Sequence, residues 1–195
     1  MHKNIWAVGR NYADHAKEMN VSPPTEPLFF LKAGSSLNHE QVITLPEWSN
    51  DIHHEIELAF LIDKHLNLTH MTLALDLTAR DKQSEAKKSG SPWTLSKSFS
   101  GACPIGKWVP IQDIEHLNFH LLKNEQTVQT GRASDMIFSP DILLTYIKRH
   151  FPVMENDILL TGTPAGVGPC RRGDLLIAKL TSQTTPILTC HWNVK

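Results

Sequence analysis

Two carboxylates separated by one residue are the first chemically suggestive feature of this chain. In Ile52-His53-His54-Glu55-Ile56-Glu57-Leu58-Ala59-Phe60 the pattern alternates by two. On a strand, Ile56, Leu58 and Phe60 share one side, and His53, Glu55 and Glu57 share the other. Acids at i and i+2 lie about 7 Å apart at Cα, so their oxygens can converge on one hard cation. Without a cation, close carboxylates repel, and one of them has to take up a proton. The plain alternative is a half-exposed strand with a solvated acidic face.

Further downstream, Leu75-Asp76-Leu77 places a carboxylate between two leucines. Such an Asp either turns out to water or is held by a partner. Arg80 and Gln83 follow at helical i, i+3 spacing. Arg is the natural bidentate partner of a substrate carboxylate, although an Arg–Gln pair also occurs as ordinary surface. Near the N-terminus, His15 and Glu18 are again three apart. A carboxylate that orients an imidazole makes a general base, and the alternative is a weak exposed pair. Lys97 sits alone in the amphipathic run Pro92–Phe99. The segment Leu160-Thr161-Gly162-Thr163-Pro164-Ala165-Gly166-Val167-Gly168 reads as a strand entering a Gly-rich turn, with backbone N–H groups and the Thr163 hydroxyl available to an anion. It also reads as an ordinary turn.

These groups need elements to position them. Strand patterns are expected at Ile5–Gly9, Leu28–Lys32, Ile52–Ile62, Leu73–Leu77, Leu117–Lys123, Ile158–Thr161, Leu175–Leu180 and Ile187–Trp192, with Gly, Pro, Asn and Asp at their flanks. Helices are expected over Tyr12–Met19, Ala79–Ser89 and Pro140–His150. For the second, Thr78 is the expected cap, Asp81 stands at the capping-box position, and Gly90 marks the stop. The third opens with Ser139 as N-cap and Pro140 at the first helical position. Strands outnumber helices without alternating with them, which predicts an α+β, mainly β domain.

The bulk numbers bound the function. A chain of 195 residues, 41% hydrophobic, can bury one core, so a single domain over residues 1–195 is expected. A formal net charge of −1 argues against recruitment of nucleic acid or an anionic membrane. Three cysteines, at 103, 170 and 190, form no CxxC pair. They are expected to be small buried apolar residues in a reducing compartment, read as cytoplasmic. No apolar run reaches membrane-spanning length, and the N-terminus lacks the extended apolar stretch of a signal peptide.

Taken in order, the segments VGRNYADHAKEM, PLFFLKAGSSL, HHEIELAFLI, ALDLTARDKQ, SPWTLSKSF, MIFSPDILLTYI and DILLTGTPAGVGP resemble the fumarylacetoacetate hydrolase (FAH) family, in its small single-domain branch of acylpyruvases and oxaloacetate decarboxylases. The resemblance implies a mixed β-sandwich or roll flanked by a few short helices, with residues 1–20 supplying a strand and a lid helix. It implies that Glu55, Glu57 and Asp76 hold Mg2+ or Mn2+, and an all-oxygen site does suit a hard cation better than zinc. It implies that His15 and Glu18 form the catalytic dyad of the lid, with Lys97 a further catalytic residue. Arg80, Gln83 and Thr163 would bind a small 2-oxo acid. The implied reaction is hydrolysis of acylpyruvates to pyruvate and a carboxylate through a metal-stabilised enolate. Oxaloacetate decarboxylation and 2-hydroxyhepta-2,4-diene-1,7-dioate isomerisation are alternatives at the same site, and an inactive oxo-acid-binding relative is an alternative of another class. A homodimer is the family expectation. In one respect the chain departs from the pattern. Between Glu57 and Asp76 it is shorter by roughly ten residues, about 15 Å of helix, so the short connection must bring Asp76 into register by itself.

Overall fold

The computed structural model describes residues 4–18, 22 and 24–195. It consists mainly of strands, with four α-helices among the described residues: α1 (Ala13–Glu18), α2 (Arg80–Ser89), α3 (Thr94–Lys97) and α4 (Pro140–His150). The expected α+β, mainly β architecture is observed.

A six-stranded mixed sheet forms the floor of the site. Its order is Val109–Pro110, Leu68–Leu75, Ile56–Ile62, Ile158–Leu160, Asn4–Gly9 and Leu28–Ala33. Period-2 alternation divides its residues between two apolar layers. Trp6, Val8, Ile56, Leu58, Phe60, Met71 and Leu73 enter the main core. Ile5, Ala7, Ala59, Ala74, Ile158 and Leu160 face a second cluster with Cys103 and Ile105. A sheet covered on both faces reads as a near-continuous apolar run, and this is why Leu58–Ile62 carries so few polar residues. The second sheet, ordered Gln126–Arg132, Leu117–Lys123, Leu175–Ser182, Thr185–Val194 and Val42–Ile43, contributes Leu117, Phe119, Leu121, Leu176, Ala178, Leu180 and Trp192 to the main core. Helix α4 adds Leu143, Leu144 and Ile147 at the spacing read from the sequence.

Several expectations are corrected. The expected strand Ile52–Ile62 is broken at Glu55 into Ile52–His54 and Ile56–Ile62. The first piece leaves the large sheet and pairs with Thr78–Ala79 and Gly168–Pro169. The strand expected at Leu73–Leu77 instead runs Leu68–Leu75 and pairs with Ile56–Ile62 as a hairpin. Strand Gln126–Arg132 is not foreseen by the sequence reading, because its polar residues carry no apolar alternation. Helix α2 starts at Arg80 with Ala79 as its N-cap and no side-chain cap, so Thr78 does not cap it. The Asp81 carboxylate accepts from Ser49 Oγ (2.7 Å) and Lys82 N (2.8 Å) instead of closing a box. Gly90 ends α2 with φ +70°, and Ser139 caps α4, both as read. Of the helix expected over Tyr12–Met19, the structure shows Ala13–Glu18. Tyr12 pairs instead with Met136 in an isolated bridge, and Met19 lies outside the described residues.

All three cysteines are free and buried, and burial pushes each thiol up to about 12. They are structural, as expected. No described helix is long and apolar enough to cross a membrane.

Candidate metal centre and active site

The hairpin places the acids. In its register Ile56 faces Leu75 and Glu57 faces Ala74, so the next residue after the strand, Asp76, arrives beside Glu55. The Asp76 N–H donates to the Glu55 carbonyl (2.8 Å), locking that juxtaposition. Breaking the strand at Glu55 lets both Glu55 and Glu57 reach the same point. Oxygens of Glu55, Glu57 and Asp76 lie within 4.8 Å of one another, and all three residues are buried, Glu57 and Asp76 to 1% exposure. The solvated acidic face is thereby excluded. The short connection returns Asp76 to the site without any intervening helix.

Buried carboxylates persist only when paired. Lys97, at the end of α3, donates from Nζ to Glu55 Oε2 (2.8 Å), Asp76 Oδ2 (2.5 Å) and Thr78 Oγ1 (2.6 Å). Its ammonium lies 4.9 Å from the Phe30 ring centre. Burial opposes that charge, but the Asp76 and Glu55 carboxylates outweigh it and raise the Lys97 pKa above its ordinary value. Arg80 Nη2 donates to Glu55 Oε1 (2.5 Å), while its Nη1 donates to Gln83 Oε1 (2.7 Å). For Glu55, burial favours the neutral acid, but Lys97 and Arg80 prevail and hold its carboxyl well below the usual range. Glu57 behaves differently. Burial and the neighbouring Asp76 and Glu55 charges push its carboxyl well above the usual range, against the smaller pull of Lys97 and the Gly162 N–H. Of the three acids, Glu57 is the one whose oxygens accept from a backbone N–H rather than from a lysine or arginine. Three buried carboxylates with oxygen donors only fit a hard divalent ion such as magnesium or manganese.

Sequence reasoning missed Lys32. It is wholly buried on strand Leu28–Ala33, and its Nζ donates to Asp76 Oδ1 (2.7 Å), to the Leu77 carbonyl (3.4 Å) and to the Lys97 carbonyl. A lysine among LFFL on a strand could have signalled a buried partner.

The Gly-rich turn does supply backbone donors, but to the protein's own acids. The Gly162 N–H donates to Glu57 Oε2 (2.7 Å), and the Gly166 N–H to the Glu18 carboxylate (3.2 and 3.3 Å). Gly162 has φ +88°, and a Cβ there would lie 2.8 Å from that of Asn11. Helix α1 therefore docks on the turn through Glu18, which also accepts or shares the proton of His15 Nδ1 (3.0 Å). With Nδ1 engaged, Nε2 is the His15 nitrogen left for chemistry. His15, Glu55, Glu57, Asp76, Arg80, Gln83, Lys97 and Thr163 all line one cavity with Arg10, Phe30, Lys87 and Trp93. Every site residue expected from the sequence thus meets the others, except Glu18, which stands behind His15. The void is about 40 Å³, room for little beyond a water or a bare ion. A larger hollow of about 560 Å³ runs beside α4, and no cluster of acids converges there among the described residues.

The comparisons with known proteins agree with this geometry. The family description "Fumarylacetoacetate (FAA) hydrolase C-terminal" matches residues 4–188. The mitochondrial oxaloacetate tautomerase FAHD1 of Bos taurus is 41% identical over 186 residues, covering 88% of this chain and 84% of that protein. The mitochondrial oxaloacetate decarboxylase of Dictyostelium discoideum is 40% identical over 198 residues, covering 94% and 91%. Both relatives carry a mitochondrial designation, in contrast to the cytoplasmic expectation drawn from the cysteines. Among solved structures, the fumarylpyruvate hydrolase of Pseudomonas aeruginosa in complex with Mn2+ and pyruvate superposes with a TM-score of 0.90 at 27% identity, covering 99% of this chain and 89% of that one. With sequence, fold and the buried acid cluster in agreement, this chain belongs to the fumarylacetoacetate hydrolase family.

Proposed function

We propose that the chain is a magnesium- or manganese-dependent enzyme acting on pyruvates that carry a carbonyl or carboxyl group on C3, with oxaloacetate the first substrate to test. The observation that carries this reading is the buried triad Glu55, Glu57 and Asp76 facing a buried His15 across one small cavity. A metal held by the triad would supply Lewis acidity to the 2-oxo group. The oxaloacetate tautomerase and decarboxylase named above support the substrate class.

The remaining chemistry falls to the chain's own groups. Arg80 and Thr163 bind the 1-carboxylate, and Gln83 fixes the guanidinium from behind. His15 Nε2 removes a proton from C3, and the electron pair moves into the 2-oxo group to give the enolate. The imidazolium, steadied by Glu18, returns the proton to oxygen and yields the enol. Lys97 lies beside the developing negative charge. In decarboxylation the C3–C4 bond breaks instead, carbon dioxide leaves, and the pyruvate enolate takes a proton at C3. Because the void is water-sized, α1 or the long side chains that line the site have to move to admit a substrate. A family-type homodimer and a cytoplasmic or mitochondrial setting are compatible with this chemistry.

Acylpyruvate hydrolysis is the second reading, favoured by the His15–Glu18 pair, which can deprotonate water as readily as carbon. Water adds to the distal carbonyl, the C3–C4 bond breaks, and a carboxylic acid and the pyruvate enolate result. Isomerisation of a dienedioate uses the same proton transfers without the cleavage.

The test is a panel of oxaloacetate, acetylpyruvate and fumarylpyruvate assayed with magnesium, with manganese and with a chelator. Turnover that needs the metal supports the reading, and the preferred substrate ranks its variants. Binding of an oxo acid without turnover would place the chain with inactive binding relatives instead.

A further inference from the structure

Gln129 lies on strand Gln126–Arg132, in the second sheet, yet its side chain is buried to 1% exposure beside the site. Its amide makes four hydrogen bonds. Oε1 accepts from the Ile56 N–H (3.1 Å) and engages His54 Nδ1 (2.9 Å). Nε2 donates to Thr163 Oγ1 (2.8 Å) and to the Pro164 carbonyl (2.9 Å). The amide orientation is unambiguous, because a backbone N–H can only donate and a carbonyl can only accept. Two consequences follow. His54 must carry its proton on Nδ1. Thr163 Oγ1 must act as the acceptor toward Gln129, so its own proton is free to point elsewhere.

Resting on the oxo-acid reading above, we propose that Gln129 is a positioning residue that fixes the polarity of the Thr163 hydroxyl. By filling a lone pair of Oγ1 with a donor, it directs the hydroxyl proton toward the cavity, where a substrate carboxylate offers only acceptors. Thr163 lines that cavity and is itself 4% exposed, so no bulk water competes to reorient it. The same amide secures Ile56, between two metal-binding glutamates, and thus links the carboxylate end of the substrate site to the metal end.

Gln129→Glu separates the two tasks. Assayed above the pH at which the buried carboxyl ionises, the substituted carboxylate still accepts from Ile56 and His54 but cannot donate. Thr163 would then turn its proton toward that carboxylate and away from the cavity. Calorimetric titration of the protein with Mn2+, followed by pyruvate, reads both ends. Gln129→Glu is expected to change Mn2+ affinity less than about threefold and to weaken pyruvate binding about ten- to a hundredfold, as for loss of one hydrogen bond to a charged group. Thr163→Val should show the same loss, and the double variant no more than either single one. With oxaloacetate, KM should rise more than kcat falls. Wild-type pyruvate affinity in Gln129→Glu, additive losses, or equal losses at both ends would overturn the assignment. If Gln129→Glu fails to fold, Gln129→Met takes its place with the same expected loss of pyruvate binding, and failure of both to fold makes Gln129 a scaffold residue and overturns it too. Wild-type protein that binds Mn2+ but no pyruvate would overturn the proposed function, and this inference with it.

Discussion

Replacing Lys32 by Met tests whether Lys32 and Asp76 form a buried ion pair that braces the acid cluster. Met keeps most of the side-chain length, so packing changes little and the loss is that of the ammonium. At 2.7 Å from Asp76 Oδ1, the pair attracts by about 6 kcal/mol at an effective dielectric of 20. Desolvation offsets part of this, and removing one partner of a buried pair costs about 3–5 kcal/mol, because the other charge is stranded. For a chain of this size, that corresponds to a fall in Tm of roughly 6–20 °C. Lys97 still pairs with Asp76, which places the result nearer the lower bound. The assay is thermal unfolding followed by circular dichroism, with and without millimolar MgCl2. The magnesium-induced gain in Tm should be larger in Lys32→Met than in the wild type, since the cation then relieves a stranded carboxylate. Asp76→Asn in the Lys32→Met background should cost less than the two single substitutions summed, what remains being the Lys97–Asp76 bond. If Lys32→Met melts within about 2 °C of the wild type, or if the two substitutions add in full, Lys32 and Asp76 are not the coupled ion pair described.

Other outcomes follow from the same geometry. Glu57→Gln should lower Mn2+ affinity at least about tenfold. In the wild type a proton competes with the ion for the raised Glu57 carboxyl, so affinity should climb as pH rises through a range above ordinary carboxylate titration, and that slope should flatten in the variant. Titration calorimetry at several pH values reads both. His15→Ala should depress acetylpyruvate hydrolysis more than oxaloacetate decarboxylation, since only hydrolysis needs an activated water. Equal losses in steady-state assays would refute that division. Gly166→Ala should destabilise the fold by about 1–3 kcal/mol, because Gly166 has φ +97° and a Cβ would run into the Val128 carbonyl oxygen. Denaturant unfolding measures this, and an unchanged midpoint would contradict it.

How far the site could be read from the chain differs from residue to residue. Glu57 is visible through alternation, because Ile56, Leu58 and Phe60 do enter the main core while Glu57 points the other way. Period-2 logic also puts Glu55 on that side, but it cannot show that the strand breaks there, since a change of sheet leaves no local signature. Helix α4 is legible to the residue because its cap, its proline and its apolar spacing agree. Gln129 is illegible, and Lys32 is legible only as a lysine in want of a partner, for a common reason. Each lies on a strand far along the chain from the groups it serves, and its polarity has meaning only once sheet order brings those groups alongside. Thr78 shows the opposite error. A residue suited to a helix cap instead offers its hydroxyl to the buried Lys97 ammonium, a charge-assisted bond.

The hairpin that carries the acids also decides where this fold tolerates change. Its tip, Asp63 to Asn67, is closed by the Asp63 carboxylate accepting from the His65 and Asn67 N–H groups. That tip stands six residues along the chain from Glu57 and nine from Asp76, about 20 and 30 Å at ordinary strand rise. The ladder between them holds the register whatever the turn contains. Length gained or lost at the tip, including a whole helix, is therefore mechanically isolated from the three acids. This protein can dispense with the longer connection, and a graft of one at Lys64–Leu66 should leave the spacing of the three carboxylates unchanged.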